Sequence, residues 1–540
     1  MSVSIPIVYK GMYLGNMNQN QAELLQTIRN MKVVPNLKKT IFNFDMGLIN
    51  QSILEHRSIR EILTEQGADL NNYISELRDY QTVGTAFMYA SPRSILGDGV
   101  GLGKTAEISA LLNFLKLRGE MTRFLMAVEN SAIGQTVIEV MRFTGLYVVM
   151  LPTTKAKIKK FIEQTDWKKV DGILICHSTL RSDYLSNWIA LNISDDGVHC
   201  KLFNVFVLDE SSVIKNAETK MYEYTRNIAN LCDRVYFLNA TVFETNLMDI
   251  YYQVDMMNPV LLPRKSKVEQ MFCKYKKSTF WKTEYDPTTG AKKPMMKFKR
   301  ELDGYKNQAQ FKSLLKLVYF SRCKADVGMN IPHIYKVYEV EPSQNQKIAI
   351  GMGYRYQEVL NCPSLIPEIN METNRKNVPK LDRLVELIQN EFSDSEVMVY
   401  CFHKEAQESI KRELEAIGRK PVILNGDTPS NDRLEIQQKF NSGEYDTLVT
   451  NIKKSLNLHG GDVCILYSVE TNVAKMEQIR GRIDRNVDDK IKTFIMMYYK
   501  DSGESEFIKT VVKQRAKDAR DLTVDAETAA TLFMDAMENG

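Results

Sequence analysis

The chain lacks any apolar run long enough to cross a bilayer, and its first residues lack the basic flank and apolar core of a secretory signal. Both absences speak against a membrane role. The expected location is the cytosol, or a nucleus if the host has one. CxxC pairs and Cys/His clusters at zinc spacing are missing too. Eight cysteines stand singly among 540 residues, which argues against a zinc module and for free thiols in a reducing compartment. There is no internal repeat of fixed period and no low-complexity tract, so repeat arrays are excluded. Nor is there a strong net charge: 71 Lys and Arg against 67 Asp and Glu leave +4, too little to imply an acidic partner for the whole surface.

Locally the charge is not even. Residues 261–300 hold twelve Lys or Arg against three acids, a balance of +9. Aromatics interleave with these lysines, so Lys276, Lys277 and Trp281 are candidate nucleic-acid contacts. The competing reading is a basic surface loop with a small aromatic core of its own.

A chain of this length holds two or three domains. From about residue 93, short β-branched or aromatic runs alternate with amphipathic helical stretches, the rhythm of a parallel sheet with crossover helices. Strands are predicted at 94–97, 124–128, 173–176, 205–208 and 235–238. The rhythm breaks near Pro259, resumes after Pro332, and predicts strands at 397–402, 422–424, 447–450, 463–467 and 493–498. The expected fold class is α/β, with two tandem units of parallel sheet and flanking helices: 76–260 and 331–505, joined by a basic insert and linker, 261–330. Residues 1–75, with helices predicted at 21–31 and 58–66, read as a small accessory domain. Residues 506–540 read as a helical tail. Its last twenty residues carry five acidic groups and no basic one, which predicts a solvated terminal helix.

The most informative stretch runs from Ser94 to Ile108: an apolar strand, then Gly97-Asp98-Gly99-Val100-Gly101-Leu102-Gly103-Lys104-Thr105, then an amphipathic helix. Glycines 99, 101 and 103 let backbone N–H groups converge on phosphate oxygens, and the helix N-terminus adds partial positive charge. Lys104 can reach the β- and γ-phosphates, and Thr105 is placed to ligate magnesium. The strict pattern asks for glycine where this chain has Asp98.

Asn204-Val205-Phe206-Val207-Leu208-Asp209-Glu210 sets two carboxylates at the end of a buried strand, where open α/β sheets bind ligands. Alone, such a strand exit is more often merely solvated. About a hundred residues after a phosphate loop it reads as a catalytic pair: Asp209 for magnesium, Glu210 to position and deprotonate the attacking water. Near the end of the second unit, Gln478-Ile479-Arg480-Gly481-Arg482-Ile483-Asp484-Arg485 puts Arg482 and Arg485 three apart on one helix face. Two guanidiniums suit the charge on a breaking γ-phosphate.

Together these segments resemble the superfamily 2 helicases, and within them the Swi/Snf-type double-stranded DNA translocases, built on two RecA-like lobes. Leu77-Arg78-Asp79-Tyr80-Gln81 looks like the motif before the phosphate loop, and Gly101-Leu102-Gly103-Lys104-Thr105 matches the loop, Leu102 included. Asp209-Glu210-Ser211-Ser212-Val213-Ile214-Lys215-Asn216 resembles the acidic box with its trailing Lys-Asn. Arg322-Cys323-Lys324-Ala325-Asp326-Val327 resembles the entry to the second lobe. Lys380-Leu381, Asn425-Gly426-Asp427-Thr428 with Arg433 and Phe440, and the Gln478–Arg485 run complete the series. The resemblance implies ATP and Mg2+ as cofactors, adenine contact from Gln81, nucleotide contact from Gln478, and arginine fingers in Arg482 and Arg485. It further implies a partner of double-stranded or branched DNA, tracked by residues such as Lys453 and Lys454, and a monomer. Ser212, Asn239-Ala240-Thr241-Val242 and the run from Thr450 to Leu458 depart from the family pattern. Those are the segments that couple hydrolysis to movement, so a strand-separating helicase for DNA or RNA, and a protein whose ATP merely gates nucleic-acid binding, remain the alternatives.

Overall fold

The computed structural model describes two N-terminal strands (5–9 and 12–17), most of residues 77–509, and the helix 529–539. Residues 189–202, 241–247, 286–291, 330–332, 453–457, 485–489 and most of 352–377 are among those outside it. The helices expected at 21–31 and 58–66 lie outside the described residues. The two N-terminal strands form an antiparallel pair.

The first sheet begins with β1 (Arg93–Leu96), β2 (Phe124–Val128), β3 (Val148–Met150), β4 (Gly172–Cys176), β5 (Val205–Asp209) and β6 (Arg234–Leu238). The chain then leaves as an antiparallel ribbon, β7 (Cys273–Tyr285) and β8 (Lys292–Tyr305), and returns as β9 (Tyr319–Phe320). Every pairing in this sheet is parallel, in the order β9-β1-β6-β5-β2-β4-β3. Its strands β2 and β4 read FLMAV and GILIC and are buried along their whole length, as a sheet covered by helices on both faces requires.

The second sheet holds β10 (Ile334–Val340), β11 (Val397–Tyr400), β12 (Pro421–Leu424), β13 (Thr447–Thr450), β14 (Val463–Leu466) and β15 (Thr493–Tyr499). It too is parallel throughout, in the order β10-β15-β14-β11-β13-β12. Each sheet packs an apolar cluster on either face. The strands predicted from sequence are all present, with ends shifted by at most two residues.

Two features differ from expectation. The segment 261–330 is not an irregular linker: it carries the ribbon, and then β9 pairs with β1. The first sheet therefore extends to Phe320, and the ribbon is an excursion from within it. Lysines fall on both faces of the ribbon, so the apolar alternation that announces a strand is absent. The terminal helix, Ala529–Asn539, is not wholly solvated: Phe533 and Met534 are buried, and the Phe533 ring meets Tyr335 of β10 edge-on at 5.2 Å.

A buried ion pair ties the second unit together. Lys380 and Glu504 are both fully buried, with Lys380 Nζ 2.9 and 2.8 Å from the carboxylate oxygens. Asn361 Nδ2 and the Tyr499 N–H also donate to Glu504, at 3.0 and 2.9 Å. The carboxylate's acceptors are satisfied in this way, as burial of a polar group requires.

Candidate nucleotide site

The turn after β1 leads directly into the helix Lys104–Leu117. Gly101 and Gly103 adopt φ of 87° and 86°, the left-handed region that disfavours side chains. This bends the chain so that the helix starts at the sheet edge. The first N–H groups of that helix, from Lys104 and Thr105, have no carbonyl one turn earlier to bond. They supply the donors an anion needs. Lys104 Nζ folds back over the loop, donating to the Asp98 carbonyl at 2.7 Å and the Gly99 carbonyl at 3.4 Å.

Asp98, the residue that breaks the strict pattern, is fully buried. Its carboxylate accepts from Arg322 Nε at 3.2 and 3.1 Å, from the Arg322 N–H at 3.1 Å, and from Arg322 Nη2. The same guanidinium donates to Glu107 at 3.0 and 3.1 Å, and to the Tyr80 carbonyl. Two buried carboxylates thus share one cation. Burial first, then the charge of Asp98, push Glu107 well above the ordinary carboxylate range, against the pull of Arg322. Asp98 therefore anchors the segment that follows β9 to the phosphate loop, a role invisible to motif spacing.

Gln81 lies under the loop. Its Nε2 donates to the Leu102 carbonyl at 2.9 Å, and its Oε1 accepts from the Arg78 N–H at 2.9 Å. The Tyr80 hydroxyl donates to the same Leu102 carbonyl at 3.0 Å. Here the glutamine amide supports the loop's shape.

Asp209 ends β5. Leu96, at the end of β1, and Asp209 are both in register with Leu238 of the strand between them. The phosphate loop and the acidic pair therefore leave one sheet edge at the same height, about 10 Å apart across two strand spacings. Glu210 sits at φ 50°, a conformation that costs a non-glycine residue about 1 kcal/mol. Its N–H donates to Asp209 Oδ1 at 3.0 Å, and His177 Nε2 donates to the Asp209 carbonyl at 2.8 Å. Ser211 Oγ is buried against Gln253 Oε1 at 2.6 Å. Sequence patterns singled out neither His177 nor Gln253.

The second unit reaches this edge through the helix Val473–Ile483. Gln478 Nε2 lies 3.5 Å from Glu210 Oε2. A Cβ placed on Gly481 would come within 2.2 Å of Val100 Cγ1, and one on Gly101 would lie 3.6 Å from the Asp484 carbonyl. Lys324 bridges the units, donating to the Asp484 carbonyl at 3.0 Å and pairing with its carboxylate, which His333 Nε2 also meets at 3.1 Å. Burial pushes the Asp484 carboxyl up, but the His333 contact and the charges of Lys324 and Arg480 outweigh it and hold the group well below its ordinary range. Arg482 is buried on the same helix, its Nε donating to the Gln478 carbonyl at 2.9 Å. Arg485, Lys453 and Lys454 lie outside the described residues. Lys276 and Lys277 are exposed on the ribbon, far along the chain from this cleft.

Backbone donors, an ammonium, the Thr105 hydroxyl and a carboxylate at one sheet edge form a donor set that fits a magnesium-bound nucleoside triphosphate. Two parallel-sheet lobes closing on such a loop define the two-lobed helicase class. A model of the SNF2-related domain matches residues 80–365, and one of the helicase conserved C-terminal domain matches residues 379–487. The chain belongs to the SNF2-related family.

Similar proteins include a Xenopus laevis SWI/SNF-related matrix-associated actin-dependent regulator of chromatin subfamily A-like protein 1, 21% identical over 87% of this chain and 46% of that protein. The uncharacterized ATP-dependent helicase YqhH of Bacillus subtilis is 27% identical over 34% of this chain and 30% of its own length. A solved Sulfolobus solfataricus SWI2/SNF2 ATPase core in complex with dsDNA aligns over 83% of this chain and 94% of that one, at 17% identity and a TM-score of 0.39. The chain spans less than half the length of these two curated relatives.

Proposed function

We propose that the chain hydrolyses ATP and couples hydrolysis to movement along double-stranded or branched DNA, as in fork remodelling, annealing or repair. The observation that carries this reading is the approach of the helix Val473–Ile483 to the phosphate loop and to Glu210. A ligand bound at that junction touches both lobes, so its γ-phosphate biases their relative position. Lys104 would hold the β- and γ-phosphates, with Glu210 orienting water and Arg482, joined by Arg485, offsetting transition-state charge. Thr105 and Asp209 would hold Mg2+, which supplies charge neutralisation at the phosphates. The duplex preference rests on family membership and on the Lys215-Asn216 and Arg322–Val327 segments. The protein would act as a monomer, in the cytoplasm of a bacterial or virus-infected cell or in a nucleus.

The deciding experiment compares ATP turnover with duplex DNA, single strands, forks, four-way junctions and RNA. Stimulation by duplex or branched DNA above single strands is expected. The reverse order favours a strand-separating helicase, and negligible turnover with every nucleic acid favours ATP-gated binding.

A further inference from the structure

The ribbon of β7 and β8 pairs with no other strand among the described residues. Thirteen residues of strand reach about 40 Å, and its base is set firmly: Cys273 and Tyr305 are buried in the lobe core, with Tyr275 and Leu302 packed against it. Register then sorts the rest into two unlike faces. Tyr285 opposite Lys292 and Trp281 opposite Met296 fix the pairing, and strand alternation follows from it. One face holds positions Lys274, Lys276, Lys282, Lys293, Lys297 and Lys299 with Glu284, Glu301, Phe280 and Met295, and Lys276 pairs with Asp303 at 3.1 Å. The other holds positions Tyr275, Trp281, Tyr285, Met296, Phe298 and Leu302, with three basic positions, Lys277, Lys292 and Arg300, among them.

On this second face Lys277 stands directly opposite Arg300, a like-charge cross-strand pair that is unfavourable without an anion nearby. The Arg300 guanidinium lies 3.8 Å from the centre of the Tyr275 ring, so its planar face is already stacked. Phe298, farther out, is 71% exposed. An isolated ribbon has no structural need for an exposed aromatic beside a row of lysines. A partner offering both phosphates and flat apolar surface explains both faces at once.

We propose that the ribbon is an arm that engages DNA where a duplex opens into single strands. The lysine face lies along phosphates, and the aromatic face, with Trp281 and Phe298, stacks on the base pair exposed at the junction. This deepens the reading of the protein as a DNA-tracking motor and rests on it for the choice of DNA.

The test measures binding without nucleotide to two probes, a blunt linear duplex and a fork with the same duplex stem and two unpaired arms, across a salt series. Wild-type protein should favour the fork. Trp281→Ala/Phe298→Ala should reduce that preference about tenfold, the order of one lost stacked base. Phe298→Ala alone, an exposed change that the fold tolerates, should reduce it in the same direction. Lys274→Ala/Lys297→Ala/Lys299→Ala should weaken both probes and lower the salt slope by about one per lysine. No fork preference in wild type, an unchanged preference in Phe298→Ala, or equal loss on both probes in the aromatic variants overturns the proposal. Because binding is read without ATP, a fork-binding arm on a chain that turns over no ATP would sink the motor reading alone. Robust DNA-stimulated turnover with an inert Phe298 would sink the arm alone.

Discussion

Val100 of the phosphate loop presses on the backbone of Gly481 in the second lobe so closely that a methyl group at 481 would fall 2.2 Å from Val100 Cγ1. Both residues are small or compact where the lobes meet over the loop. Glycine at 481 is therefore a matter of approach between lobes.

Gly481→Ala should hold the lobes apart and lower ATP turnover about a hundredfold, the effect of misplacing a catalytic group by about an ångström. Val100 is β-branched and cannot swing aside cheaply. Adding Val100→Gly to that variant should recover part of the loss, and steady-state turnover of the single and double variants decides the matter. A single variant with wild-type turnover removes the contact from the catalytic cycle.

Lys104→Ala should lower turnover by about 10²–10³, the usual effect of removing a preorganised charge at a transition state. Unchanged turnover would remove the phosphate loop from the account. Glu210→Gln should match that loss while retaining nucleotide binding, which a fluorescent ATP analogue would report.

The motifs of this site were legible because each is a short run whose neighbours in sequence are its neighbours in space. Lys104 follows its glycines, and Asp209 ends an apolar strand that could only be buried. Asp98 was legible as a departure but not as a function, because its partner Arg322 lies 224 residues away. The ribbon was legible in its charge and hidden in its shape. Lysine on both faces cancels the period-two signal, and only the cross-strand register separates one face from the other. The sheet strands, buried on both sides and bounded by turns, had no such ambiguity.

Glu107→Gln should change how stability depends on pH. The folded carboxyl is held above its unfolded range, first by burial and then by Asp98. A group raised in this way contributes stability that is whole below the unfolded value and is lost as pH rises through the folded one. Glutamine has no such dependence, so the variant should gain on wild type as pH climbs from the unfolded carboxylate range toward neutrality. Urea midpoints at about pH 5 and about pH 8 should show the gap moving in the variant's favour. A constant gap would show that the folded Glu107 carboxyl is not held above its unfolded range.

Lys380→Met should destabilise the second lobe by about 3–5 kcal/mol, because it strands the buried Glu504 carboxylate. Lys380→Met/Glu504→Gln leaves no unmatched charge and should cost less than the single change. Urea unfolding of the two variants provides the comparison, and a double variant weaker than the single would mean that the hydrogen bonds from Asn361 and Tyr499 outweigh the ion pair.

The return of the chain as β9 builds the start of the connection between the lobes into the sheet beneath the phosphate loop. Tyr319 and Phe320 lie beside Ile95 and Leu96, and two residues later Arg322 is clamped to Asp98. The connection to the second lobe leaves the first only after that clamp. Lengthening the tether at Gly328 would then loosen the second lobe's swing while leaving the first lobe's nucleotide cradle intact, whereas an insertion before Phe320 would disturb the cradle itself.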